Sequence, residues 1–197
     1  MKWFPQEGCT ILEKEKNGLF EWAKLITVTA IFIFVLRSFI FTPIVVDGHS
    51  MMPTYEDGDR VIVNKIGKKI TDLKRFDIIV FVAPNGELFI KRIIGLPGDH
   101  IAYEDDVLYI NGEKVDEPYL NAYKSQLTDQ GDFTYDFTLE EVTGFEKIPK
   151  DYFFVLGDNR RNSSDSRNQS VGLVSMDQIV GEANIRVFPW GRLGLVN

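Results

Sequence analysis

The feature that most constrains this sequence is an apolar run near its N-terminus, Trp22–Phe41, which reads WAKLITVTAIFIFVLRSFIF. A helix of these twenty residues would span the ~30 Å hydrocarbon layer of a bilayer. Lys24 and Arg37 lie near its two ends, where long cationic side chains can extend toward the interfaces. Pro43 disfavours helical geometry at Thr42 and should therefore end the helix. We predict one transmembrane helix over residues 22–41.

Two other interpretations of the run are a buried core helix and a cleavable signal peptide. The uninterrupted stretch Leu25–Leu36 is only as long as the apolar region of a signal peptide. Cleavage would need small residues shortly afterwards, and the following RSFIFTPIVV offers no Ala-x-Ala pattern. We therefore expect the segment to stay attached as an anchor.

The distribution of basic residues predicts the orientation of this anchor. No basic residue follows Arg37 before Arg60, whereas several lysines precede or begin the run. Because basic residues favour the cytoplasmic side, residues 1–21 should form a cytoplasmic tail and residues 42–197 an extracytoplasmic domain. The expected location is the plasma membrane, with the lipid bilayer as one partner. The lysines concerned are Lys2, Lys14, Lys16 and Lys24.

Charge and residue usage exclude several kinds of site. The formal net charge is −7 with a pI near 4.9, which argues against nucleic acid as a partner because phosphate binding needs clustered Lys and Arg. Cys9 is the only cysteine, so no disulfide framework or cysteine-based metal site is expected. His49 and His100 are the only histidines, too few for a His-rich zinc site. We expect no metal and no cofactor.

The chain after the anchor is predicted to be mainly β, in one domain. Short runs rich in Ile, Val, Phe and Tyr alternate with Gly, Pro, Asn and Asp, and no long segment of helical period follows residue 42. Asn111-Gly112 in YINGEKV is a strong hairpin signal. Residues 113–150 are polar and weakly periodic, and we interpret them as an excursion from the core. The predicted strands are IVVDG, DRVIVNKI, FDIIVFVA, ELFIKRIIG, HIAYEDDVLYING and YFFVLGD.

The first candidate catalytic residue is Ser50, in the segment GHSMMPT. A serine hydroxyl is a weak nucleophile unless a neighbouring base accepts its proton. His49 is adjacent to Ser50, and adjacent side chains of an extended chain point to opposite faces. His100 follows Asp99 in GLPGDH, so a Ser-His-Asp triad stays open at this point.

Lys91, in LFIKRIIG, is a second candidate base. In a strand it shares one face with Phe89 and Ile93, which is an unusually apolar setting for an ammonium group. Burial disfavours the charged form and lowers the pKa of a lysine, which makes it able to accept a proton. The alternative is an edge-strand lysine whose head reaches solvent.

The third unusual stretch is GDNRRNSSDSR, Gly157–Arg167, which follows the apolar strand YFFVLG. It lacks the central glycine and terminal glutamate of an EF-hand calcium loop. A solvated loop held by Asx and Ser turns is the other interpretation that composition allows.

In this order behind an anchor, GHSMMPT, KRIIGLPGD and GDNRRNSSDSR closely resemble the motifs of bacterial type I signal peptidases in their Gram-positive form. The resemblance extends from the anchor to VGEANIRVFPW and so covers most of the chain. It implies a Ser/Lys serine endopeptidase that removes N-terminal signal peptides from secreted preproteins. It also implies a coiled antiparallel β-sheet domain with an exposed apolar surface near the active site.

The resemblance also implies roles for individual residues. Ser50 matches the nucleophile and Lys91 the general base of the family. Ser163 matches the hydroxyl that orients the lysine, and Asp165 and Arg167 match the pair that holds its loop.

Two positions depart from the pattern. Some relatives have a serine as a second oxyanion donor where this chain has Gly48, so the donor here should be backbone or water, and the glycine lets the substrate backbone approach. Arg161 stands where many relatives have an acidic residue, which leaves the local ion pairing open. The segment before Ser50 should bind extended substrate as an edge strand, through Ile44, Val45, Val46 and Asp47.

Two alternative functions remain at the level of sequence. Related Ser/Lys proteins include self-cleaving repressors, so a soluble autoprotease is one, and the apolar run argues against it. The other is an inactive membrane-anchored protein that binds signal peptides, against which the intact Ser50 and Lys91 argue. Sequence does not specify the preproteins that are cleaved or the oligomeric state.

Overall fold

The computed structural model of the protein describes residues 9–39, 41–65, 73–125, 127 and 131–196. The chain divides into two compact units, Met1–Ile40 and Phe41–Asn197. Each unit is described by itself below.

The first unit contains one long helix, α1 (Cys9–Phe39). Its side chains between residues 18 and 34 are all exposed, and they include large apolar ones such as Leu19, Phe20 and Trp22. Within the described residues, no helix meets the combined requirement of length and hydropathy for crossing a membrane. The helix begins well before the predicted start at residue 22 and ends ahead of Pro43, which lies in the first strand.

The second unit is built from antiparallel strands, as predicted from the alternating apolar runs. The larger sheet has the order β1-β2-β11-β3-β4-β9-β10, with β12 paired to β11, and the smaller sheet has the order β7-β6-β5-β8. The strands in the described part of the chain are β1 (Phe41–Val45), β2 (Arg60–Asn64), β3 (Ile78–Val82), β4 (Leu88–Gly95), β5 (Ile101–Glu104), β6 (Val107–Ile110), β7 (Glu113–Val115), β8 (Phe137–Thr138), β9 (Tyr152–Leu156), β10 (Val174–Ser175), β11 (Ile179–Phe188) and β12 (Gly194–Leu195).

Strand β1 lies at one end of the larger sheet and pairs only with β2 in this strand order. It contains Pro43, opposite Ile62, and a proline fits an edge strand because its missing N–H costs no ladder bond on the open side. The predicted edge strand IVVDG is therefore displaced toward the N-terminus. Beyond Val45 the chain stays attached to the sheet through Val46, whose N–H donates to the Asp59 carbonyl oxygen at 2.8 Å.

The smaller sheet grows out of the hairpin that the sequence predicted at Asn111-Gly112. Both residues have positive φ, 53° and 82°, and they join β6 to β7. The excursion continues through short helices, α2 (Asn121–Lys124) and α3 (Leu139–Thr143). Its buried side chains, including Phe137 and Leu139, pack in one cluster with Phe154 of β9, so the excursion shares a core with the larger sheet.

Strand β11 is the main element that is absent from the strands predicted from the sequence. It lies between β2 and β3 in the middle of the larger sheet. In its sequence IVGEANIRVF, the polar residues Glu182, Asn184 and Arg186 alternate with apolar ones. Gly181 is required by close packing, because a Cβ there would lie 2.3 Å from the Asn64 carbonyl oxygen. The alternation of polar and apolar residues is the pattern of a strand with one buried face, so the sequence carried the signal for β11 although the strand was not among those predicted.

Candidate active site

Ser50 lies in a tight turn between β1 and β2. Met51 and Tyr55 anchor the turn because their side chains are buried in the core. The Tyr55 hydroxyl donates to the Ala183 carbonyl oxygen at 2.6 Å. On the other side of Ser50, the N–H of Gly48 donates to the Asp57 carboxylate at 2.8 Å. Gly48 has φ +88°, a conformation in which any larger residue would be strained.

Lys91 reaches Ser50 from strand β4. Its side chain is buried, with 3% exposed. Strand β4 lies between β3 and β9 in the larger sheet, so Lys91 is not on an edge strand. The Nζ atom lies 2.8 Å from Ser50 Oγ and 2.9 Å from the Ile90 carbonyl oxygen. The same atom lies 5.1 Å from the centre of the Phe89 ring, so the apolar setting predicted for Lys91 is present.

Burial lowers the pKa of Lys91 from 10.5 to about 8, because the charged amine loses its hydration. The carboxylates of Asp165 and Asp158 act in the opposite direction and limit the fall. At pH 7 about a tenth of such a group is neutral. Lys91 is thus a base that is available near neutral pH, in hydrogen-bond contact with a serine hydroxyl.

The loop Gly157–Arg167 is held in place by Asp165 and Arg167. The Arg167 guanidinium donates two hydrogen bonds of 2.8 Å to the fully buried Asp165 carboxylate. Asp165 also accepts from the Gly157 N–H at 3.0 Å. Arg167 donates in addition to the Arg160 carbonyl oxygen, which closes the loop onto itself.

The same loop is attached to the turn that carries Ser50. The Asn159 N–H donates to the Ser50 carbonyl oxygen at 3.0 Å, and the Asn159 side chain donates to the His49 carbonyl oxygen at 3.1 Å. Gly157 sits directly against both parts, since a Cβ there would lie 2.5 Å from the Ser50 carbonyl oxygen and 2.2 Å from Ser163 Oγ. Glycine is therefore required at this position by space.

Ser163 lies near the pair, but its hydroxyl is not bonded to Lys91. Its Oγ atom is buried and has no hydrogen-bond partner within the described part of the chain. The orienting role that the resemblance implies for Ser163 is thus not reflected in a hydrogen bond in this structure.

A buried ion pair connects the strand of Lys91 to the turn of Ser50. Arg92, the next residue after Lys91, donates to both oxygens of Asp158 at 2.9 and 2.7 Å. Both side chains are almost completely buried. The Thr54 hydroxyl donates to the same carboxylate. Asp158 therefore joins the turn, the strand and the loop at one point.

A cleft of about 620 Å³ opens beside Ser50 and Lys91. One wall is the end of β1 with the residues that follow it, from Ile44 to Asp47, and the other wall is the first half of β4. That half, Leu88–Lys91, pairs with β3 on one edge, whereas β9 pairs only from Arg92 onward. The structure thus brings all the predicted substrate-binding residues to one cleft that ends at the serine–lysine pair.

The sequence profile described as "Signal peptidase, peptidase S26" matches residues 19–190. The chain belongs to the signal peptidase S26 family. This family consists of serine endopeptidases, so the resemblance drawn from the three motifs and the predicted enzyme class are both confirmed.

Signal peptidase S26 relatives match nearly the whole chain. The signal peptidase I of Bacillus caldolyticus is 52% identical over 179 residues, which is 90% of this chain and 94% of the relative. Signal peptidase I S of Bacillus subtilis is 43% identical, covering 93% and 96%. Signal peptidase IB of Staphylococcus aureus is 42% identical, covering 89% and 92%.

A solved structure in the signal peptidase S26 family shares the fold. The crystal structure of a signal peptidase I from Enterococcus faecalis aligns with a TM-score of 0.54 at 44% identity. The alignment covers 58% of this chain and 98% of that chain.

Other residues considered in the sequence lie away from the pair. The His100 ring nitrogen Nδ1 lies 2.8 Å from the Glu146 carbonyl oxygen, and Asp99 is paired with Arg75 at 3.0 Å. The contact described for the His100 ring is therefore with Glu146 and not with Ser50. Arg161 donates to the carbonyl oxygens of Gly131 and Asp132, so backbone oxygens are among its partners.

Several residues of the site were not singled out from the sequence. Asp57, Asn159 and Asp158 each contact the turn of Ser50, but Asx residues near glycine are common in ordinary loops. For Arg92, the sequence predicts only that it lies in a strand. Its neighbour Asp158 is 66 positions away in the chain, and no local pattern predicts such a pairing.

Proposed function

We propose that this protein removes N-terminal signal peptides from secreted preproteins, with Ser50 as nucleophile and Lys91 as general base. The observation that carries the proposal is the 2.8 Å contact between Lys91 Nζ and Ser50 Oγ. A lysine with a pKa lowered to about 8 by burial can take the serine proton, as nucleophilic catalysis by a hydroxyl requires.

The proposed reaction proceeds through an acyl-enzyme. Ser50 Oγ attacks the scissile carbonyl carbon while its proton passes to Lys91 Nζ. The resulting ammonium then protonates the leaving amine, which departs with the mature protein. Water, deprotonated by the neutral Lys91, hydrolyses the ester and releases the signal peptide.

The oxyanion is proposed to bind backbone donors. The Ser50 N–H donates no hydrogen bond within the described residues and can supply one contact. The N–H of Gly48 is engaged by Asp57, so Gly48 is proposed to shape the turn and let the substrate backbone approach, rather than to donate. Asp165 and Arg167 are proposed to hold the loop, and Ser163 to orient Lys91 when substrate is bound.

The substrate is proposed to bind as an extended strand in the cleft. One wall is the end of β1 with residues 46 and 47, and the other is the part of β4 before Arg92, which has no strand of the described chain paired on its second edge. Such edges pair with extended peptides through main-chain hydrogen bonds, and alternate side chains then enter pockets. The family resemblance implies pockets that fit alanine at the first and third positions before the cut, which is part of this proposal.

We further propose that residues 22–41 anchor the protein in the plasma membrane. The run is long enough to span the bilayer, and the described side chains of α1 expose contiguous apolar surface, which favours contact with lipid. The excess of lysines before the run supports a cytoplasmic N-terminus and an extracytoplasmic peptidase domain.

Cleavage of a purified preprotein in detergent tests the assignment. Ser50→Ala and Lys91→Ala should each abolish cleavage, and the double variant should be scarcely slower than either one, because residues that act as a unit are not additive. Circular dichroism serves as the control for folding. Substantial cleavage by Ser50→Ala would show that the nucleophile is wrong, and absence of cleavage by the unmodified protein would favour a binding protein. Cleavage confined to its own chain would favour an autoprotease.

A further inference from the structure

Two buried arginines stand behind the serine–lysine pair. Arg92 follows Lys91 in β4 and is 0% exposed, and Arg160 belongs to the loop Gly157–Arg167 and is 2% exposed. A buried guanidinium must be fully hydrogen-bonded and paired, because its desolvation is costly. Whatever holds these two side chains therefore also fixes the elements that carry Lys91 and the loop.

Tyr119, in the excursion, contacts both arginines. The Arg92 guanidinium lies over its ring, 4.0 Å from the ring centre. The Tyr119 hydroxyl accepts a hydrogen bond of 3.1 Å from Arg160 and donates one of 2.6 Å to Glu117. Glu117 in turn pairs with Arg160 and accepts from the Tyr103 hydroxyl. One aromatic side chain thus joins two buried cations through different parts of its surface.

Each arginine leads to the catalytic centre by direct contacts. Arg160 donates through Nε to the Gly157 carbonyl oxygen at 3.1 Å, and Gly157 is packed against Ser163 and the Ser50 carbonyl group. Arg92 pairs with Asp158, and Asp158 also accepts a hydrogen bond from the Thr54 hydroxyl, which belongs to the turn that carries Ser50.

We propose that Tyr119 is a positioning residue for the Ser50–Lys91 pair, acting through Arg92 and Arg160; the proposal rests on the function proposed above. Its ring holds Arg92 against Asp158, and its hydroxyl holds Arg160 and Glu117 under the loop. The smaller sheet and its excursion thereby take part in setting the geometry and the charge balance of the catalytic centre.

The charge balance gives a readout that a merely structural role would not change. The charges of Asp165 and Asp158 favour the ammonium form of Lys91, and Arg92 offsets the charge of Asp158. Arg92 is held by this carboxylate, by the Phe76 carbonyl oxygen and by the Tyr119 ring, and removal of the ring lets the guanidinium shift away from the carboxylate. Lys91 then holds its proton to higher pH, and the acidic limb of the rate profile moves upward.

The experiment compares Tyr119→Leu with Tyr119→Phe, using Tyr109→Leu as the matched control. Tyr109 is a half-buried tyrosine of β6 in the smaller sheet, and it is not among the described hydrogen-bond, ion-pair or ring partners of either arginine. The full-length protein in detergent cleaves a peptide that spans a signal-peptide cut, and rates are normalised to the folded fraction from thermal melts. The measured quantities are kcat and KM from pH 5 to 10.

We expect Tyr119→Leu to lower kcat/KM about tenfold or more and to raise the midpoint of the acidic limb by about half a pH unit. Tyr119→Phe keeps the ring over Arg92, so its midpoint should match that of the unmodified protein, with kcat about two- to fivefold lower at unchanged KM. Tyr109→Leu should change neither the midpoint nor the normalised kcat.

An unmoved midpoint in Tyr119→Leu overturns the proposal, as does a shift of equal size in Tyr109→Leu. If Tyr119→Leu does not fold, the Tyr119→Phe variant decides, and a kcat equal to that of the unmodified protein overturns the proposal. Failure of the proposed function itself would look different, since the unmodified protein would then not cleave the peptide or Ser50→Ala would remain active.

Discussion

Lys91 combines two properties that rarely occur in one residue: almost complete burial and a hydrogen bond to a serine hydroxyl. Burial alone would favour a neutral amine, and nearby carboxylates alone would favour an ammonium ion. The outcome, a pKa lowered to about 8, leaves the residue able to accept and return a proton at physiological pH.

This position of the pKa predicts the dependence of the rate on pH. Lys91 must be neutral to act as base, so kcat/KM should rise about tenfold per pH unit below pH 7 and level off above about pH 8.5. Lys91→Arg should be inactive, because a guanidinium does not release its proton in this range. The measurement is the cleavage rate of a peptide substrate between pH 5 and 10.

His100→Ala is the control for that profile. The His100 ring contacts the Glu146 carbonyl oxygen, so its removal should leave the acidic limb in place. An inactive His100→Ala together with an active Lys91→Arg would mean that histidine is the base.

Ser50 and Lys91 could be selected from the sequence because each is an unusual residue in its local pattern, and their motifs together are specific. The residues that hold Ser50 and Lys91 in place could not be selected from the sequence. Asp57, Glu117 and Tyr119 are unremarkable in their own segments, and they matter through contacts outside those segments, with Gly48, Arg160 and Arg92 respectively. A reactive side chain can stand out in its local sequence, whereas a side chain that positions it is defined by contacts that the local sequence does not contain.

Among the elements, the loop Gly157–Arg167 depends most closely on a single position. A Cβ on Gly157 would overlap Ser163 Oγ and the Ser50 carbonyl oxygen, and the latter cannot move without displacing Ser50. Gly157→Ala should therefore lower kcat/KM by about a hundredfold, since small displacements of reacting groups have large effects on rate. Peptide cleavage measures the rate, and a thermal melt measures stability.

Gly191→Ala is the matched control for Gly157→Ala. A Cβ on Gly191 meets no heavy atom within 4 Å, so rate and melting temperature should both stay unchanged. Equal rates in the two alanine variants would show that the loop can move away from the turn at little cost.

The strands were predictable where apolar residues dominate a run of five or more, as in β3, β4 and β9. The very short strands were not predictable, and β11 was missed although polar residues alternate with apolar ones along it. β8 and β10 are two residues long, and β11 contains Glu182, Asn184 and Arg186. The two-residue strands are specified by their neighbours in the sheet, which a local pattern does not contain, whereas β11 has a local strand pattern of its own.

At the scale of the whole molecule, a long helix and a β domain form separate compact units. The proposed orientation assigns residues 1–21 to the cytoplasm and the β domain to the outside of the membrane. Cys9, the only cysteine, should then be protected from a membrane-impermeant thiol reagent in intact protoplasts and should react after lysis. A cysteine at the exposed position Glu113, introduced as Glu113→Cys in a Cys9→Ser background, should react without lysis.

Labelling is measured by the mass of the purified protein. The opposite pattern, with Cys9 labelled in intact protoplasts and the cysteine at position 113 protected, would reverse the orientation. Labelling of both positions in intact protoplasts would contradict the anchor itself.

Strand β4 changes its surroundings within one residue step, and this has a consequence for protein engineering. Before Arg92 the strand borders the cleft on one edge, and from Arg92 onward it is paired on both edges, with Ile93 and Ile94 completely buried. Leu88, by contrast, is about half exposed, at 52%. A library that reshapes the cleft at Leu88 can therefore search for new cleavage preferences while the segment that sustains the fold is left untouched.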